Sequence, residues 1–322
     1  VAITTYSAWS FHSILDQSAC LIHNFAMITY LPPARANQAF SLVELSIVLV
    51  ILGLLVGGVL SGKSLIHAAE LRASIEQIKQ YQVATRAFRD KYFNLPGDLP
   101  DPNRTRLGLT TAGCGASCNP NGDGVIVGYA WTQIDGEPNY FWLDLATKGL
   151  IQGSFAAPIP GGNDNLSISG SNIANYLPAS KLGADQYIYI WSGGMSFVGS
   201  GRFGSDGVNY ISIGGLTQLN GFNTGGNFRA NATMPAQDAY SIDMKMDDGK
   251  PQTGGVTAIY IGYIGGAYVS WAGNVVDPPP RPGTTAVAAS STTCMDNGGV
   301  VGTMNYTVSG NNKTCALTFK LY

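Results

Sequence analysis

The 322-residue chain combines 45 % hydrophobic residues with only 12 % charged ones, at a formal net charge of -2. The charged share is about half the usual one, and without a basic excess the chain has no field that gathers nucleic acid, so no nucleic-acid partner is expected. With 41 glycines and 16 tyrosines, the composition points to an extracellular, β-rich protein and away from a cytosolic enzyme, and the length allows one large or two modest domains.

In chain order, the first strong signal is an uncharged run from Leu45 to Gly62, closed by Lys63. At roughly 1.5 Å per residue, such a run nearly crosses a hydrocarbon core as a helix. Gly53, Gly57, Gly58 and Gly62 lie inside it; glycines there are tolerated in lipid and permit close helix approach or local unwinding. A single-span anchor explains the run but not Glu44 at its start. A carboxylate at the hydrocarbon edge is costly and needs a partner. In a polymer, the cationic N-terminus of a neighbouring subunit supplies one.

The segment Ala39-Phe40-Ser41-Leu42-Val43-Glu44-Leu45, continued by Ser46 to Gly53, closely resembles the cleavage and methylation motif of type IV prepilins. The resemblance implies cutting between Ala39 and Phe40 by a membrane prepilin peptidase and N-methylation of the new Phe40 amine. It also implies that Glu44 faces the amine of an adjacent subunit. The partners it implies are copies of the chain or related pilins, the peptidase and methylase, the membrane, and the assembly platform of a pilus or type II secretion system. The implied location is the inner membrane for the precursor, with a periplasmic head, and then a periplasmic or extracellular filament. Ala39 stands where the family usually has Gly. The leader, residues 1–39, is long and carries only Asp16 and Arg35 as formal charges. A start at Met27 gives a short leader with Arg35 as its sole basic residue, so residues 1–26 read as an over-extended gene start.

Beyond Lys63, Leu71, Ile75, Ile78, Tyr81, Phe88 and Tyr92 recur at helical spacing, and Asn94-Leu95-Pro96-Gly97-Asp98 stops the pattern. One helix from about Ser41 to Tyr92 spans roughly 80 Å. Its first half suits lipid or a filament core; its second half needs a sheet over its apolar stripe. Short helices are expected from Pro138 to Gly149 and from Pro235 to Met246. Strands are expected at Tyr187–Trp191, Val208–Ile213, Val256–Tyr263, Tyr268–Trp271, Val300–Val308 and Thr314–Phe319. The expected fold is α+β and pilin-like: a long N-terminal helix, transmembrane in its first half, packed on an antiparallel β-sheet head. The organisation reads as leader 1–39, helix 40–93, head 94–276, Pro-rich linker 277–283 and a disulfide-bonded β segment 284–322. Phe88 to Asp98, Asn119 to Gly124 and Ile242 to Gly249 also resemble larger-headed prepilin-like proteins.

Of the five cysteines, Cys20 precedes the apolar run. The others form two local pairs, Cys114 with Cys118 and Cys294 with Cys315, which read as two disulfides made outside the cytoplasm. A four-cysteine zinc site is the alternative, but the pairs lie far apart and neither has zinc-knuckle spacing. Asn119, Asn121, Asp123 and Gly124 follow the alternating oxygens and sharp turn of a calcium loop, with Val125 offering its carbonyl and Ile126 filling the apolar position. Ala130 stands where the closing Glu would be, and a plain Asn-Gly/Asp-Gly turn is the other reading. Calcium is the only cofactor entertained. Asp243, Asp247 and Asp248 read as solvated residues at a helix end and its turn, or as partners for Lys245 and Lys250, with another metal cluster or a paired-carboxylate catalytic site as the other readings. His67 is the one histidine past the expected cut, so multi-histidine metal chemistry and a serine triad are not expected in the head, nor is an enzyme. The functional readings are a filament subunit of a pilus or secretion system, a minor tip subunit acting as an adhesin, and a membrane-anchored glycan-acting enzyme.

Overall fold

The computed structural model describes residues 41–112, 120–126, 134, 136–158, 167–183, 185–192, 207–220, 229–263, 267–271, 294–296, 305–308 and 313–321. Ala39, Phe40, Cys114, Cys118, Asn119 and the linker 277–283 lie outside these residues. The chain forms two compact units, Val1–Gly57 and Gly58–Tyr322. The described part of the first unit is helical from Leu42 onward, with every side chain exposed.

Helix α1 runs continuously over Leu42–Tyr92, the span expected from the sequence. Within the second unit it buries Leu71, Ser74, Ile75, Ile78, Tyr81, Ala84, Thr85 and Phe88, a stripe at three- and four-residue spacing. Arg89 and Lys91 occupy its last turn, where cations complement the helix dipole. Phe93 turns left-handed at φ 60 and donates its N–H to the Arg89 carbonyl at 2.7 Å, which closes the helix.

A one-turn helix, α2 (Asn103–Arg106), and helix α3 (Gly136–Thr147) follow. The Pro96-Gly97 turn lies directly on the start of α3. A Cβ on Gly97 would stand 2.4 Å from the Glu137 carbonyl oxygen, and the residue holds φ +87. Both facts demand glycine here.

The sheet is built from β1 (Ser167–Ser169), β2 (Gln186–Ser192), β3 (Asn209–Asn220) and β4 (Arg229–Asn231), joined by the later strands Val256–Thr257 and Leu317–Lys320. Strand β5 (Met234–Pro235) leads into helix α4 (Ala236–Met246). Then come β6 (Val256–Thr257), β7 (Ile259–Tyr263), β8 (Ala267–Trp271), β9 (Met295–Asp296), β10 (Asn305–Tyr306), β11 (Lys313–Cys315) and β12 (Leu317–Lys320). Strand β3 is the hub: β1, β2, β4 and β12 all pair with it antiparallel, and β6 joins through β12. Ile188, Ile190, Ile211, Ile213, Leu317 and Phe319 from these strands share one hydrophobic core with Ile78, Tyr81 and Phe88 of α1. Tyr81 meets the Trp142 ring edge-on at 5.1 Å, and Gln82 donates to the Lys320 carbonyl at 3.1 Å. The expected α+β arrangement of long helix and antiparallel sheet is the one observed.

Several strand limits differ from expectation. Strand β3 continues past Ile213 through Gly214 and Gly215 to Asn220. The glycines look like a strand break, yet a Cβ on Gly215 would meet the Thr233 side chain at 2.5 Å; the position is bare because another segment crosses it. The expected strand Val256–Tyr263 divides at Ala258, whose N–H turns away to Pro251 at 2.8 Å. The expected strand Thr314–Phe319 divides at buried Ala316. Of the expected strand Val300–Val308, the described residues Asn305 and Tyr306 pair with β9, and Thr307 continues the register by donating to the Cys294 carbonyl at 3.0 Å.

Candidate functional site

Glu44 sits in the first turn of α1. The Ser41 amide donates to its carboxylate at 2.9 Å, and the Ser41 hydroxyl accepts the Val43 amide at 3.3 Å. Ser41-Leu42-Val43-Glu44 is thus a capping box, which satisfies amides that a helix start leaves open. Glu44 has no ion-pair partner among the described residues. The nearest cation along its own helix is Lys63, about five turns on. Between them every residue is uncharged, and Leu45, Ile47, Val48, Leu49, Val50 and Ile51 are at least half exposed. Such a helix, apolar on all sides, is stable only in lipid or against other apolar helices. Among the described residues it is the one helix long and apolar enough to cross a membrane. The capping box was legible as S-x-x-E, but the sequence reading fixed on the charge of Glu44 and overlooked it.

In the calcium-loop candidate, Asn121, Asp123 and Val125 come together. The Asp123 carboxylate accepts the Val125 amide at 2.8 Å and the Asn121 side-chain amide at 2.9 Å, while Asn121 accepts the Asp123 amide at 2.9 Å. Asp98, fully buried, reaches in from the end of α1 and accepts the Gly122 and Gly124 amides at 2.7 and 2.8 Å. Burial pushes the Asp98 carboxyl above its usual range despite these donors. Ile126 is fully buried, as the pattern requires. Each carboxylate oxygen of Asp98 and Asp123 accepts an N–H, the pattern of a hydrogen-bonded turn.

The site that sequence reading missed is Arg104 with Asp144. Both side chains are 1 % exposed. The guanidinium donates to the two Asp144 oxygens at 3.0 and 2.6 Å and to the Thr110 carbonyl at 2.6 Å, and lies 3.9 Å from the centre of the Tyr140 ring. Asp144 also accepts the Gly97 amide at 2.8 Å. This cluster ties the turn after α1 to α2 and α3. Burial drives the Asp144 carboxyl upward and the adjoining Arg104 pulls against it. A 40-residue separation between the two partners left no local signal.

His67 bonds Asp238 of α4 at 2.8 Å, so this lone histidine serves to pin α4 to α1. Cys294 and Cys315 form the expected disulfide. Asp243, read from sequence as solvated, is fully buried; Asp247 and Asp248 beyond it are exposed.

Residues 34–60, which take in Ala39, Phe40 and Glu44, match the family model described as the prokaryotic N-terminal methylation motif. No curated protein matches the chain, and no solved structure does.

Proposed function

We propose that this chain, a type IV pilin-like protein carrying the N-terminal methylation motif, is a structural subunit of a type IV pilus or a pilus-like secretion filament. Prepilin peptidase cuts before Phe40, the new amine is methylated, and α1 holds the precursor in the inner membrane with its head outside the cytoplasm. The subunit then leaves the membrane by packing the first half of α1 against its counterparts in neighbouring subunits. The observation that carries this reading is Glu44 at the head of an uncharged, exposed helical run with no ion-pair partner among the described residues. A carboxylate is retained there at a cost, and an intermolecular amine gives it a partner.

Shearing filaments from cells that express the chain, followed by mass spectrometry and immunogold imaging, tests the proposal. The chain is expected along the sheared filaments. Its confinement to the membrane fraction of cells bearing filaments of other composition would overturn the reading. A second reading, a tip subunit with a binding head, draws on one observation. Phe93 is 89 % exposed in a left-handed backbone, beside a cavity of about 390 Å³ lined by Arg89, Asn94, Asp123 and Lys320. Abundance separates the two, since a tip subunit is scarce and confined to filament ends.

A further inference from the structure

Three carboxylates crowd the end of α4. Asp243, Asp247 and Asp248 each bring an oxygen within 4.8 Å of the others'. The two outer ones are fixed in place: Asp247 accepts the Gly255 and Val256 amides at 2.6 and 3.1 Å, and Asp248 accepts the Lys250 amide at 2.8 Å and the Thr253 hydroxyl. Asp243 is fully buried. Its carboxyl accepts the Tyr306 hydroxyl at 2.8 Å and the Gly249 amide at 3.1 Å. Lys245 and Lys250 are close in sequence, yet no ion pair reaches Asp243 among the described residues.

Tyr306 is the anchor of that segment. It is 5 % exposed, its ring edge meets Tyr240 of α4 at 6.1 Å, and β10 pairs with β9 next to Cys294. Thr307 donates to the Cys294 carbonyl, and the disulfide carries the connection to β11, which pairs with β5. The Asp243–Tyr306 bond therefore joins α4 to the cysteine-bridged segment.

We propose that this buried carboxyl makes a proton-operated clasp: attachment of Tyr306 to α4 is favoured while Asp243 holds a proton and disfavoured once it ionises, because the charge is then held out of water beside Asp247 and Asp248, so that the attachment follows the surrounding pH. Ionisation places a charge in a buried site that faces two fixed carboxylates. Burial raises the Asp243 carboxyl most, the bonds from Tyr306 and Gly249 offset part of this, and Asp248 and Asp247 add to it, leaving the group at about 7. The same surroundings push the Tyr306 hydroxyl far upward, so it remains a donor throughout. When the segment opens, Asp243 meets water and falls toward its ordinary value near ~3.9. Between that value and about 7 the closed form keeps a proton that the open form releases. Opening therefore becomes easier as pH rises through this window and levels off above it.

Amide hydrogen exchange on the full-length chain in detergent micelles, corrected for the intrinsic pH dependence of exchange, tests the clasp. Protection at Tyr306 and Thr307 is expected to fall by about tenfold or more between roughly pH 5 and 7.5, while Ile211 and Ile213 in β3 hold steady. Asp243→Asn should flatten the profile. Tyr306→Phe should lower protection at both ends and keep the slope. A flat wild-type profile, an undiminished slope in Asp243→Asn, or an equal slope in β3 would overturn the proposal. Should Asp243→Asn fail to fold, a carbon-13 titration of the wild-type Asp243 carboxyl decides. A midpoint near neutrality supports the clasp, and one in the ordinary carboxylate range refutes it.

Discussion

Replacing Glu44 by Ala is expected to leave a chain that is made, inserted, cleaved and normally folded in its head, but whose filament yield falls by at least about tenfold. On the proposed filament assembly, the physical reason is the pairing of two charges in a water-poor core. Removing one partner of a buried pair strands the other, at about 3–5 kcal/mol, and this recurs for every subunit added. Membrane insertion depends on the apolar run that follows, which the substitution does not touch.

The capping box gives the experiment a sharper form. Glu44 also accepts the Ser41 amide, so Glu44→Ala removes a helix cap worth about 1 kcal/mol as well as a charge. Glu44→Gln keeps the cap hydrogen bond and the length of the side chain while removing the charge. Assembly as poor in Glu44→Gln as in Glu44→Ala assigns the defect to charge pairing. Near-normal assembly in Glu44→Gln assigns it to the cap. Glu44→Asp, with a shorter reach, should lie between wild type and Glu44→Ala. The readout is the ratio of sheared to membrane-retained protein with the variant as sole subunit.

The second large effect is on stability. Arg104→Met is expected to destabilise the head by about 3–5 kcal/mol, because it leaves the Asp144 carboxylate buried without its cation. At roughly 2–4 °C per kcal/mol for a domain of this size, Tm should fall by about 10 °C. Relative to that single change, adding Asp144→Leu should recover part of the loss, since the stranded charge goes with it. Recovery stays incomplete because the Gly97 amide and the Thr110 carbonyl lose their partners in the double variant. Calorimetry of the three variants checks both statements. A loss under about 1 kcal/mol for Arg104→Met would mean that water reaches the pair and screens it.

The parts of this protein that were legible in its sequence are those written in short-range pattern. The α1 stripe from Leu71 to Phe88 repeats at helical spacing, and the stop at Asn94-Leu95-Pro96-Gly97 uses residues with one conformational meaning. Glu44 stood out because it broke an uncharged run, and Cys294 with Cys315 because they are near neighbours in sequence. What escaped notice was made by distant segments meeting. Arg104 gives no local sign that it will be buried, since its carboxylate and its aromatic ring lie on α3. Asp243 sits in a run of polar residues that reads as solvent-facing, yet it is buried and bonded to Tyr306 of the C-terminal segment. Gly215 lies inside β3 beyond the expected end at Ile213, bare where Thr233 crosses it. In each case the deciding contact spans at least 18 residues, beyond what periodicity or turn chemistry encodes.

The most direct test of the filament assignment is the N-terminal residue of the chain recovered from sheared filaments, read by mass spectrometry of its first peptide. The expected species begins with N-methylated Phe40, with Glu44 four residues on. Recovery of filament-borne chain that still carries residues 27–39 would contradict the assignment, because Glu44 would then have no free amine at Phe40 to meet.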